Sequence, residues 1–246
     1  MMKPFNQYHN KYTSRESIGF FPGGFKPPHA GHFAALQSML GYDVKNPETG
    51  SSILLGDAGT SDHVYVIIGH APRGSLDQNT SYNKMKKTKD VEGLRTISSG
   101  MITKEISKQV WELYMKQSDQ SIADRSTVMV SPAASPIIGM EEIILNLKPE
   151  QIANNTLNLY AGQEDQERYK YFTSDKFRVK LAERKDIDIN KIMIKANMID
   201  RLGSATDARS QILRVAAQEA DIETLKKYIP AGVNINDFLD LLKTFR

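Results

Sequence analysis

The residue order predicts an α/β protein with a doubly wound, mostly parallel sheet and helices on both faces. Three observations carry this. Short apolar runs at 18–21, 63–69, 126–130 and 156–160 alternate with segments whose apolar residues follow a helical period. Each run ends in a turn rich in glycine, proline or polar residues: PGGFKPPH, HAPRGS, SPAASP and AGQED. The first of these turns leads straight from strand into helix, which leaves helix N–H groups free at the edge of the sheet.

Taken in order, residues 1–16 are polar and read as an arm. Ile18 to Phe21 is the first strand, and Pro22, Gly23 and Gly24 end it. Pro27 and Pro28 keep the chain extended, because a residue before proline avoids the α region. A helix follows in HAGHFAALQSML, where Phe33, Leu36 and Leu40 recur at i, i+3 and i+7. Residues 41–62 read as a loop or small insertion. His63 to Gly69 is the second strand. The stretch 76–100 is polar and lysine-rich and is expected to be a long loop over the site. Thr103 to Met115 is a helix, with Ile106, Val110, Trp111 and Tyr114 on its apolar face, the last two as core.

Ser126 to Val130 is the third strand, 131–136 a loop, and Met140 to Leu147 a short helix. Thr156 to Tyr160 is the fourth strand, and Arg168 to Phe172 is helical. Phe177–Leu181 and Ile192–Ile194 are expected as further strands. Asp207 to Glu219 is a helix, and 221–228 and 235–243 are two short helices on either side of Pro230. Residues 17–220 thus form one domain, with 221–246 a C-terminal helical segment that suits packing on the sheet or on a partner. Ligands of such a sheet sit outside the C-terminal strand ends.

Composition narrows the function. The 246 residues, 40% hydrophobic and 25% charged, are enough for a substantial core. Net charge is +3, without a block of like charges, which argues against a nucleic-acid partner. There is no cysteine, so thiol catalysis, disulfides and zinc–thiolate sites are excluded. No signal-like segment and no run of 18 apolar residues is present, so a soluble cytoplasmic protein without a membrane partner is expected. A homo-oligomer is compatible with all of this.

The chemistry gathers at 23–32. His29 and His32 lie three apart at a helix start, so both can share one face of its first turn. Two imidazoles over an anion site can donate hydrogen bonds to a phosphate whose charge grows during transfer. Ser204, Thr206 and Asp207 are good N-cap residues for the late helix.

GGFKPPHAGH resembles the GxFxPxHxGH signature of the nucleotidyltransferase family, which includes cytidylyltransferases and the pantetheine-phosphate and nicotinamide-mononucleotide adenylyltransferases. Gly23, Phe25, Pro27, His29, Gly31 and His32 match. RLGSATDARSQI at 201–212 resembles the family's second signature, ISSTxIR, through Ser204, Thr206 and Arg209. Gly203, Ala205 and Ala208 depart from it. The overall chain is also similar to nucleotidyltransferases encoded by large phages, which would make the compartment the host cytoplasm. KMKKTK at 84–89 is similar to the KMSKS loop of class I aminoacyl-tRNA synthetases, but it follows only two strands and reads as a solvated basic loop.

The resemblance implies a Rossmann-like sheet, an NTP, Mg²⁺, a phosphorylated small-molecule acceptor and release of pyrophosphate. AMP transfer is favoured over CMP transfer by the HAPRGS and SPAASP loops. His29 and His32 would stabilise the α-phosphate. Lys26, a mobile point charge, and Arg209 would hold the β- and γ-phosphates, with Ser204 and Thr206 beside them. Gly23, Gly24, Phe25 and Gly31 would shape the nucleotide site. Gly162 and Asp165 would meet the base or ribose, and Arg73 the acceptor phosphate. The alternative is a non-catalytic nucleotide-binding or structural protein that retains the fold.

Overall fold

The structure is a computed structural model that describes residues 16–45, 59–162, 166–199, 204–218 and 220–242. Its frame is a five-stranded, all-parallel sheet in the order β3-β2-β1-β4-β5. The strands are β1 (Ser17–Gly23), β2 (His63–Ile68), β3 (Ser126–Val130), β4 (Thr156–Gly162) and β5 (Met193–Ile199). β2 is buried along its whole length, as expected of a parallel strand covered on both faces.

The helices are α1 (Ala30–Met39), α2 (Leu76–Thr88), α3 (Val91–Ser99), α4 (Lys104–Gln117), α5 (Gln120–Asp124), α6 (Pro136–Asn146), α7 (Pro149–Asn154), α8 (Gln166–Thr173), α9 (Asp175–Lys185), α10 (Ala205–Ala216) and α11 (Ile235–Leu242). Alternation along the strands divides the core into two layers. Phe21, Val64, Val66, Ile68 and Tyr160 face α1, α4 and α10, whose Leu36, Trp111 and Ile212 complete that layer. Ile18, Phe20, Tyr65, Ile67, Leu157 and Leu159 face α6, α8 and α9, whose Ile144, Tyr169 and Phe177 complete the other. The expected α/β class, parallel sheet and double winding are all present.

Two expected elements are different in kind. Residues 76–100 form the hairpin of α2 and α3, not a loop. α2 buries no residue, so it carries no apolar stripe to betray it. Its signals are its caps: Ser75 and Gln78 form a capping box, and Asp90 caps α3. The basic KMKKTK segment is therefore exposed helix ending at the left-handed Lys89, not loop. Phe177 and Leu181 belong to α9 instead of a strand. They are one helical turn apart on its buried face, and a five-residue apolar window does not reveal which period applies.

Smaller differences concern boundaries. α6 begins four residues before the expected Met140, at Pro136, a favourable first helical position. α5 and α7 are short helices not anticipated. The 221–228 segment is a 3-10 helix, Ile222–Lys227. Residues 46–58 of the expected 41–62 loop lie outside the described residues. The C-terminal segment packs on the sheet's first layer: Leu225, Ile229, Phe238 and Leu242 are buried there, and Phe238 stacks on Tyr114 at 6.3 Å.

Candidate active site

Strand order reverses between β1 and β4, since the chain winds outward through β2 and β3 and returns to β4 on the other side of β1. A crevice is expected outside the strand ends at that point. The loop from Gly23 to His29 lies there, and its shape follows from its packing. Phe25 takes a left-handed φ of 45°, unusual for a bulky residue. Its buried ring lies over Gly23, where an added Cβ would come within 2.5 Å of it. The ring also stands edge-on to Phe21, His32 and Trp111, with centroids 4.9, 5.0 and 5.5 Å away. At Gly24 an added Cβ would meet nothing within 4 Å, so the main chain there is open to close approach.

The start of α1 fixes both histidines. His29 is the N-cap: its Nδ1 accepts from Gly31 N–H at 3.1 Å, and His32 Nδ1 accepts from His29 N–H at 3.2 Å. A neutral imidazole whose Nδ1 accepts carries its proton on Nε2. Each ring is thereby set as an Nε2–H donor, and the ring centroids are 3.8 Å apart. Ala30 N–H donates to the Tyr228 carbonyl at 2.7 Å. The helix-start N–H groups of residues 29–31, expected to be free, are thus spent inside the protein. What this helix offers an anion is its two imidazole donors and its dipole.

Lys26 is buried and clamps two turns together. Its Nζ donates to the Gly24 carbonyl at 3.1 Å and to the Gly69 carbonyl after β2. Gly69 N–H in turn donates to the Gly23 carbonyl at 2.9 Å. Burial pulls the Lys26 pKa down to about 8; Arg73 and, less strongly, Lys104 push the same way, and Glu105 opposes them. Arg209, half-buried near the start of α10, is likewise lowered, first by burial and then by Arg73. Among the described residues the side chains of Arg73 and Arg209 make no ion pair. Cations from three elements therefore lie within electrostatic reach of one another, offset among the described residues only in part by Glu105, which suits an anion site.

Arg73 is placed by a short antiparallel bridge to Ile102, N–H to carbonyl at 3.0 and 2.7 Å. The next residue, Thr103, caps α4 and so brings Lys104 and Glu105 beside Lys26. Ser204 caps α10, its Oγ accepting from Asp207 N–H at 3.2 Å. Thr206 lies in the first turn of α10. Gly31 is buried in α1, and Gly162 ends β4 opposite Ile199. Asp165 lies outside the described residues. The structure thus brings His29, His32, Lys26 and Arg73 together around the turns after β1 and β2, with Arg209 within electrostatic reach of Arg73.

No family model matches the chain, and no curated protein matches it. Its fold is similar to that of a solved structure, Plasmodium falciparum nicotinic acid mononucleotide adenylyltransferase complexed with APC. The TM-score is 0.48 and the identity 14%, over 94% of this chain and 96% of that one.

The sequence alone did not single out the support of this site. Tyr114 donates its buried hydroxyl to the Pro28 carbonyl at 3.0 Å, just before His29. Trp111 braces Phe25, which braces His32. Both aromatic residues are visible in sequence as core, but nothing local ties them to residues 25–32. No group of three carboxylate or imidazole residues that could hold a metal is present among the described residues. The groups gathered here are mainly cationic or N–H donors, and Glu105 beside Lys26 is too little acidic oxygen among the described residues for a protein-held Mg²⁺.

Proposed function

We propose that this chain is a nucleotidyltransferase that moves a nucleotidyl group from an NTP to a phosphorylated small-molecule acceptor and releases pyrophosphate. One observation carries the reading: two imidazoles locked as Nε2–H donors stand over the same strand ends as the cluster of Lys26, Arg73 and Arg209. That is a set of donors and charges for phosphate oxygens, without an evident nucleophile of its own.

The chemistry asks for no protein nucleophile. A phosphate monoester loses its second proton near pH ~6 and is largely a dianion at neutral pH. Its oxygen attacks the α-phosphorus in line; the bond to the α,β-bridging oxygen breaks, and pyrophosphate leaves with that electron pair. Catalysis is then positioning plus charge stabilisation. His29 and His32 donate from Nε2 to the α-phosphate oxygens as charge builds there. Arg209 and Ser204 take the departing pyrophosphate, and Arg73 the acceptor phosphate. Lys26 has three N–H donors and two are spent on carbonyls, so one remains for a phosphate oxygen. Mg²⁺ would arrive on the triphosphate, keeping most of its waters. AMP transfer is preferred to CMP transfer on the sequences of the HAPRGS and SPAASP loops.

The second reading is a nucleotide-binding or structural module. Ala205 favours it, because a hydroxyl of the second signature is missing there. A pyrophosphate-release assay with Mg²⁺ separates the two. It crosses ATP and CTP with nicotinamide mononucleotide, phosphopantetheine, FMN, glycerol 3-phosphate and phosphocholine. Transfer predicts release with one pair, lowered about 10²–10³-fold in His32→Ala. Unchanged turnover in His32→Ala would remove the histidines from the mechanism. Absence of release together with absence of thermal stabilisation by any NTP would favour the structural module.

A further inference from the structure

A groove of about 490 Å³ runs from Arg209 along α10, walled on the other side by the base of the α2–α3 hairpin. Its floor and lip are Leu213, Ala216, Ala217 and Leu76, and Leu76 is 78% exposed. Much of the hydrogen-bonding capacity of the hairpin wall is already spent. Gln78 Oε1 accepts from Ser75 N–H, and its Nε2 donates to the Gly100 carbonyl. Gly74 exchanges both main-chain hydrogen bonds with the Asn79 side chain at 3.0 Å. Ser75 Oγ accepts from Gln78 N–H. The remaining polar side chains, Arg209, Ser210 and Arg214, all come from α10.

We infer that this groove receives the body of the acceptor, and that the acceptor is a soluble phosphomonoester with a single unbranched aliphatic chain. The inference rests on the proposed transfer reaction. Arg209 lines the groove and lies within electrostatic reach of Arg73, so an acceptor phosphate held by Arg73 lies near the groove's mouth. A nucleoside body needs hydrogen-bond partners for its sugar and base, and this wall has few left to give. An alkyl chain needs none and gains by covering Leu76, Leu213 and Ala217. From Arg209 to the C-cap Ala217 is eight residue steps along the helix axis, about 12 Å at 1.5 Å per residue, which suits a chain of medium length.

The test is calorimetric titration of the full chain with inorganic phosphate, butyl phosphate, octyl phosphate and ribose 5-phosphate. Octyl phosphate is expected to bind on the order of a hundredfold tighter than butyl phosphate, at roughly three- to fourfold per buried methylene. Ribose 5-phosphate should bind no tighter than inorganic phosphate. Ala217→Trp, at an exposed position, fills the groove and should return octyl phosphate to the affinity of butyl phosphate. Equal affinity for both alkyl phosphates, a clear preference for ribose 5-phosphate, or full octyl affinity in Ala217→Trp would each overturn the inference. Co-sedimentation with phosphatidate vesicles, without binding of soluble octyl phosphate, would overturn it too. Chain-length-dependent binding without His32-dependent turnover keeps the groove and sinks the transfer reaction. Turnover on nucleotide acceptors with no chain-length effect does the reverse.

Discussion

His29 and His32 hold each other's position: each Nδ1 is committed to a main-chain N–H of the same turn, so neither ring can swap tautomers without losing a cap. Lys26 makes this neighbourhood pH-sensitive. With its pKa near 8, the cation that faces the phosphates is lost as pH rises through that value. The kcat/KM profile should therefore fall on its alkaline limb near pH 8, and Lys26→Met should abolish that limb together with most of the activity. Stability moves the other way. Folded Lys26 sheds its proton at about 8 and the unfolded residue at 10.5, so the unfolded state binds more protons between those values. This group's contribution to stability rises with pH across that window, which urea titrations of wild type and Lys26→Met would resolve. At this scale the motif 23–32 was legible because chemistry and spacing are local. The burial of Lys26 was not, since it depends on the carbonyl of Gly69, which reaches it only through strand pairing.

The α2–α3 hairpin and α4 show two opposite ways for an element to matter. α2 and α3 pack chiefly on each other, joined to the body where Arg73 bridges Ile102. Replacing residues 75–99 by a two-residue turn should shift Tm by no more than about 3 °C, since little of the core is lost. The same deletion should abolish octyl phosphate binding. α4 is the contrary case. Tyr114→Phe leaves the buried Pro28 carbonyl without its donor, at a cost of about 1–2 kcal/mol, and a thermal melt should fall by about 2–4 °C per kcal/mol. Strands and amphipathic helices could be read from sequence because their periods are written in apolar residues. The hairpin could not, because a helix that buries nothing leaves only its caps as a trace, and Phe177–Leu181 was too short to choose between periods.

Across the whole molecule, the parallel order β3-β2-β1-β4-β5 decides where the site lies, and strand–helix alternation made the sheet foreseeable. What alternation does not specify is how residues 221–242 are used. Phe238 on Tyr114 and the Tyr228 carbonyl on Ala30 N–H make that segment part of the wall behind the histidines. Removing residues from 221 onward should therefore cost more than a helical appendage would. Limited proteolysis should show α1 and α4 cleaved readily in the truncated chain and protected in the full one. The bond between Ala30 and Tyr228 has a consequence in time as well. During synthesis the histidine-bearing turn emerges early, while the carbonyl that closes it is made only after all five strands. A growing chain thus carries the complete first motif long before it can hold it in working shape, and NTP binding should switch on late and abruptly instead of building up strand by strand.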